Sequence, residues 1–431
     1  MNDINPPSDD VPKVVIPGNY QLNEVDFGAG STSYKDVVKP VDGETPPAPP
    51  LGVLEHFKGV YAGRGLNQIF RPNGNTISAT TFKVPLNPPP AGGFSNNVLE
   101  LNLTRETLRF MPELGSVPNR GLANQGDIFL NGVPYIQNID NVANMDTGLA
   151  DLEKPVGIHF EPGIWIAVPE TVNPAVGATL SRMASIPHGT TINAQGLAPT
   201  TVTKVVTEAH TELEIPILDI TPFVIGDPTA RRRFASQDVD NEATARLPQD
   251  LTKFANNHTI DKEILADPNE VLRRATKDQK ITEFIKFTVS TAETGVLTTS
   301  STDPLGGGTD NIAFLLGASG NPNAHAAKME ATFWIETVEC ELELPEICAG
   351  ESVDIPAPGE SYIFEGRIVP SFRVAPPYGV AEGQKITVSF KQIQYSQNVN
   401  LDFARLTWPH VSVATLVPTE PIVVGPEAFD S

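Results

Sequence analysis

The sequence predicts an all-β protein, an antiparallel closed barrel of about ten strands with a helical insertion and an extended N-terminal arm. Three observations predict it. Apolar and polar residues alternate with period two over many strand-length segments, as they do where side chains point by turns to two faces of a sheet. The 40 prolines and 34 glycines follow no period, which excludes collagen and disfavours long helices, because proline breaks helix interiors and central ladders alike. Hydrophobic residues make up 40% of the chain, enough for a core and too much for wholesale disorder.

Residues 1–50 hold Pro6, Pro7, Pro12, Pro40, Pro46, Pro47, Pro49 and Pro50 among acids and small residues. This composition predicts an extended or disordered arm that, if ordered, packs along a neighbour and joins copies into a homo-oligomer. Residues 51–431 read as one elaborated barrel domain. Leu99, Leu101 and Leu103 alternate with Glu100, Asn102 and Thr104, the pattern of a half-buried strand. Further strands are expected at 127–136, 157–168, 180–186, 201–217, 281–289, 328–342, 361–369, 385–395 and 407–417. Between Pro228 and Lys280 the period becomes helical, with Asp267 as N-cap, Pro268 at the first helical position and Glu270 completing a capping box. Val271, Leu272 and Ala275 then face the core, and the insertion is expected to cover one barrel mouth.

Thirty basic against 52 acidic residues give a formal charge of -22, which repels nucleic-acid phosphates and anionic lipid alike. Arg231, Arg232 and Arg233 form a basic cluster that reads as a solvated helix face. Met1–Asp10 is polar, with no basic region leading into an apolar stretch, and no window approaches the roughly eighteen apolar residues of a membrane helix. A soluble, cytoplasmic protein without membrane partners is therefore expected. Cys340 and Cys348 are too few for a structural zinc site, and the spacing leaves open a local disulfide or two free thiols.

Four segments carry candidate chemistry. Gly59-Val60-Tyr61-Ala62-Gly63-Arg64-Gly65 places glycines at alternate positions, so that one strand face lets an aromatic plug or a ligand approach the backbone. In His159-Phe160-Glu161-Pro162-Gly163-Ile164-Trp165, His159, Glu161 and Gly163 share one strand face, while Pro162 predicts an edge or a bulge. Ala184 to Ile192 reads as strand, turn and strand, with His188 in the turn. In Trp408-Pro409-His410-Val411-Ser412-Val413-Ala414, His410 opens a strand whose same-face neighbours, beginning with Ser412, are small and leave room beside the imidazole. Solvated or structural readings compete for each of these segments taken singly.

Together and in this order the four segments resemble nitrobindin, a family of haem-binding β-barrels related to fatty-acid-binding proteins and lipocalins. That family shows G-x-W-x-G-x-G, then H-x-E-x-G with a following proline, then A-x-P-x-G, and a last strand opening on histidine. Here Tyr61 stands for the tryptophan, and Val417 and Pro418 stand where the family has a basic residue near the end. The resemblance covers about a third of the chain and implies haem b, with His410 as ligand to its iron, His159 on the opposite wall, and Tyr61, Glu161 and Ser412 in the pocket. It further implies handling of nitric oxide, peroxynitrite or peroxide at ferric iron. Two other functions remain open: a non-enzymatic barrel that holds a small apolar molecule or serves as a scaffold, and a cofactor-free isomerase or cyclase using His159 and Glu161 as acid and base. Nucleophile-elbow, P-loop, EF-hand, H-E-x-x-H and C-x-x-C patterns are absent.

Overall fold

The computed structural model describes residues 47–72, 97–121, 126–172, 175–206, 212–233, 251–291, 307–312, 324–359, 368–403 and 405–429. The chain divides between Pro47 and Ala48, and the barrel belongs to the second unit. The expected arm falls almost wholly outside the described residues, as does most of the strand expected at 361–369.

Ten strands close into an antiparallel barrel, each paired with its neighbour in chain order. They are β1 (Gly59–Pro72), β2 (Asn97–Phe110), β3 (Ile128–Asn141), β4 (Val156–Val168), β5 (Thr179–Ile186), β6 (Thr190–Leu197), β7 (Lys280–Ser290), β8 (His325–Glu343), β9 (Lys385–Phe403) and β10 (Leu406–Pro418). The barrel closes between β1 and β10, in register from Tyr61 opposite Pro418 to Ile69 opposite His410. Closure leaves neither strand with a bare edge. The glycines of β1 make this seam possible: a Cβ at Gly65 would lie 2.1 Å from the Val413 carbonyl oxygen, and one at Gly63 would lie closer still to that of Thr415. They admit the neighbouring strand where a ligand or aromatic plug was expected. Between β6 and β7 the register is the single pair Gln195–Ser290. Short strands patch this seam, Gly308–Asn311 on β6 and Thr203–Lys204 on β7.

Two apolar cores result, one inside the barrel and one outside it. Inside, Phe57, Phe110, Trp165, Phe287 and Phe333 interlock, with Phe57 stacked on Phe110 at 4.6 Å and Trp165 edge-on to Phe333 at 5.2 Å. The 3-10 turn Gly52–His56 brings Val53 and Leu54 onto this cluster and closes that end. Outside, helices α1 (Thr252–Asn256), α2 (Lys262–Ala266) and α3 (Glu270–Thr276) pack on the barrel wall. A small sheet of Val353–Pro356, Ser371–Val374 and Ile422–Val423 joins the same core. Trp334 of β8 anchors it, its indole N–H donating to the Leu213 carbonyl at 2.9 Å.

Several expected elements differ. The helices cover the outer wall and not a mouth, because Val271 and Leu272 find their apolar partners there, among them Val338 and Val413. Asp267 does not cap α3; its carboxylate accepts from the backbone N–H groups of Asn269 and Leu218, and the helix starts at Glu270. Glu270 reaches forward to Arg273 and Arg274 instead of back. Among the described residues of 201–217 only Thr203–Lys204 is strand, and Leu213 and Ile215 lie against the outer core. Arg231 ends the short strand Asp227–Arg231, so the basic cluster begins on a hairpin and not on a helix. Cys340 and Cys348 are both free thiols. Among the described residues no helix is long and apolar enough to cross a membrane.

Candidate functional site

The barrel interior is layered. Above the aromatic core, β2, β3, β4, β5 and β9 each turn polar side chains inward, and these join across the barrel. Tyr395 donates to Glu106 at 2.7 Å, Gln137 donates to both of them, and Thr104 donates to the other Glu106 oxygen at 3.0 Å. Beside this group Arg182 donates to Glu161 at 2.6 Å, to the Tyr135 oxygen at 2.8 Å and to Gln397 at 2.7 Å, while the Tyr135 hydroxyl donates to Glu161. Gly163 makes this possible, since a Cβ there would meet the Tyr135 ring at 2.5 Å. The Arg182 guanidinium also lies over the Tyr135, Trp165 and Phe333 rings, so it roofs the aromatic core with charge.

The two carboxyls of this floor differ in kind. Burial works against ionised Glu161, but the Arg182 charge and hydrogen bonds from His159 and Tyr135 outweigh it and hold the carboxyl at about 2. Burial dominates at Glu106, and three hydrogen bonds only moderate the rise to about 7. One stays a carboxylate; the other is poised to hold a proton near neutrality.

Above the floor three histidines line a cup. His159 touches Glu161 through Nε2 at 3.1 Å, and its ring stacks on His188 of the β5–β6 turn with centroids 6.2 Å apart. His410 stands on the closing strand with Ile69 and Val399 in register on its two sides. The residue is half-buried within the barrel wall. Burial, then repulsion from His159 and His188, pushes its pKa down to about 3, so the ring is neutral. Asn67 donates to its Nε2 at 2.7 Å and to Ser412 Oγ at 2.9 Å, and Asn102 donates to Asn67 Oδ1 at 3.1 Å. No group of three or more His, Cys, Asp or Glu side chains among the described residues is placed to hold a metal ion together.

The structure thus brings His159, Glu161, His410 and Ser412 to one half of the interior. It places Tyr61 elsewhere, at the opposite end of the closing seam, with its hydroxyl donating to the His56 carbonyl and its pKa raised to about 12 by burial in the aromatic core. Pro162 lies one residue beyond the β4–β5 pairing, which starts at Gly163, so β4 has a local edge there. Sequence reading missed Asn67, Glu106, Tyr135, Arg182 and Tyr395. A signal existed for two of them: Glu106 shares a strand face with Leu108 and Phe110, and Arg182 shares one with Leu180 and Ala184, so each is a charged residue in an apolar file.

A concavity of about 640 Å³ lies outside the barrel, lined by Arg64, Arg274, Lys280, Phe390, Gln392 and Val417. Arg274 is bound to Asp261 and Glu270, and Lys280 to Glu339. The candidate chemistry is in the cup.

Fold and site define a closed β-barrel that is filled at one end and carries a neutral histidine in a polar cup at the other. No family model, no curated protein and no solved structure matches the chain.

Proposed function

We propose that the chain is a ligand-binding barrel that takes haem in the histidine cup, where His410 would hold its iron. The observation that carries this reading is the His410 ring, neutral and inward-facing, with Nε2 2.7 Å from Asn67 Nδ2, a donor that has Ser412 Oγ and the Val411 carbonyl as other acceptors. An uncharged imidazole with an unprotonated ring nitrogen is what iron would require of a histidine ligand. Ile69 and Val399 beside His410 supply apolar wall for a porphyrin face. Bound haem would lie above the floor, since apolar side chains fill the barrel below. Ferric haem, when bound, supplies an electron-pair acceptor for nitric oxide, peroxynitrite or peroxide. His159, oriented by Glu161, would then present its other ring nitrogen to the cup.

Two observations weigh against the alternatives. Glu161 is fixed by Arg182 and held far below the ordinary carboxylate range, so it is a poor base for a cofactor-free isomerase or cyclase. A purely filled scaffold gives no reason for the inward-facing His159, His410 and Ser412 to be left only half-buried.

The test is a titration of the full chain with ferric protoporphyrin IX, read as a Soret band. Wild type gains the band, His410→Ala loses it, and His159→Ala keeps it with altered cyanide or nitric oxide affinity. A wild type that takes up no haem, or a band unchanged in His410→Ala, overturns the reading.

A further inference from the structure

The cup holds one side chain whose hydrogen bonds are over-subscribed. Asn67 lies on β1 beside Asn102 of β2 and, across the closing seam, opposite Ser412 of β10. Its Nδ2 is 2.7 Å from His410 Nε2, 2.9 Å from Ser412 Oγ and 3.3 Å from the Val411 carbonyl oxygen. An amide carries two N–H groups, so three acceptors compete for two hydrogens. The other end of the amide is pinned, because Asn102 donates to Oδ1 at 3.1 Å. The Val411 carbonyl can only accept, which fixes the amide nitrogen on that side. His410 Nε2 is therefore the unprotonated ring nitrogen, and Nδ1 carries the hydrogen.

We infer that Asn67 is the latch of the cup: it selects Nε2 as the electron-pair donor of His410 and covers that nitrogen until an electron-pair acceptor displaces it. The inference rests on the reading of His410 as the ligand-facing residue. Opening costs about the net worth of one hydrogen bond, the 2.7 Å contact to His410, while the amide hydrogens keep Ser412 and Val411 as acceptors. A second hydrogen-bond donor gains nothing over Asn67 at this nitrogen, whereas a Lewis acid does. The latch thus favours ligands that coordinate over ligands that merely donate a hydrogen bond, and Asn67 acts on them as a positioning residue through His410.

Two substitutions separate a latch from a structural asparagine. Asn67→Ala uncovers Nε2, so affinity for ferric protoporphyrin IX should rise by about three- to tenfold, the worth of one hydrogen bond. Asn67→Asp offers an acceptor in place of the donor, turns His410 to the Nε2–H form, and should lower affinity by roughly tenfold or more. Nitrogen-15 spectra of histidine-labelled protein read the tautomer directly: Nδ1–H in wild type and Nε2–H in Asn67→Asp. If both variants lose affinity together, or if Asn67→Ala binds as wild type does, the latch is refuted. Should wild type bind no ferric porphyrin, the haem reading fails and the spectra judge the latch alone; an Nε2–H tautomer in wild type overturns it, and Nδ1–H sustains it even if the aspartate variant does not fold.

Discussion

Replacing Glu106 by glutamine should make the protein more resistant to alkaline conditions, by an amount that the floor of the cup sets. Burial raises the Glu106 carboxyl from 4.5 to about 7. A carboxyl whose folded pKa lies above its unfolded value binds its proton more tightly in the folded state. Below about pH 4.5 both states are protonated and the group costs nothing. As pH rises the unfolded chain ionises first, and stability falls until about pH 7, above which the loss is constant. That interval is worth about 3 kcal/mol at most. Glutamine cannot ionise and keeps the shape: its carbonyl oxygen can accept from Tyr395 and Gln137, while its amide can donate to Thr104 Oγ1. Urea denaturation of both proteins at pH 4 and pH 8.5 measures the effect, and every other titrating group cancels in the difference. The two should be nearly equal at pH 4, with the glutamine variant more stable by about 2–3 kcal/mol at pH 8.5. A difference that does not change with pH would show that Glu106 is not held protonated by burial.

Glu161 carries the opposite sign. Its carboxyl is depressed to about 2, so the stability it contributes is present above about pH 4.5 and lost as pH falls toward 2. Glu161→Gln leaves Arg182 buried without its carboxylate and should cost about 3–5 kcal/mol in urea at pH 7, with a shallower acid transition; a loss below 1 kcal/mol would mean that the pair is replaceable by its neighbours. At the seam, Gly65→Ala forces a methyl to 2.1 Å from the Val413 carbonyl oxygen and 2.8 Å from Thr104 Oγ1. It should destabilise the barrel by about 2 kcal/mol or more, whereas Gly177→Ala, which meets nothing within 4 Å, should stay within about 0.5 kcal/mol of wild type. Thermal denaturation followed by circular dichroism compares the two, and equal melting temperatures would remove the steric argument for the glycine file.

The fold was legible because closure depends on local features that sequence displays. Period-two runs marked most of the ten strands, and the glycine-rich first strand and the histidine-led last strand do lie side by side. What the sequence did not display were features decided by distant partners. Val271 and Leu272 announce an apolar helix face, but not whether it meets a mouth or a wall. Residues 201–217 alternate well enough for a strand, yet Leu213 and Ile215 have the outer core to cover and no free ladder to join. Asp267 has the right spacing for a cap, but the backbone of Leu218 competes for its carboxylate.

The cup was half legible for a more general reason, visible in β2. Leu101 and Leu103 alternate with Asn102, Thr104 and Glu106, and with one face in water the leucines would point into the barrel. They point out of it, under the helices and the small sheet, while Asn102, Thr104 and Glu106 point in. The period is right and its direction reversed, because this barrel has a second core outside its wall, and burial on both faces removes the rule that polar means solvent. The outer wall follows suit: Gln68, Glu336, Gln392 and Gln394 are as buried there as the leucines. What then distinguishes the inner face is a change of character along a single file. In β2 that file runs from Asn102 through Glu106 to Leu108 and Phe110, and in β5 Arg182 interrupts Leu180 and Ala184. Such a file crosses from polar cup to aromatic plug within one strand, and the crossing point is the floor of Glu106 and Arg182.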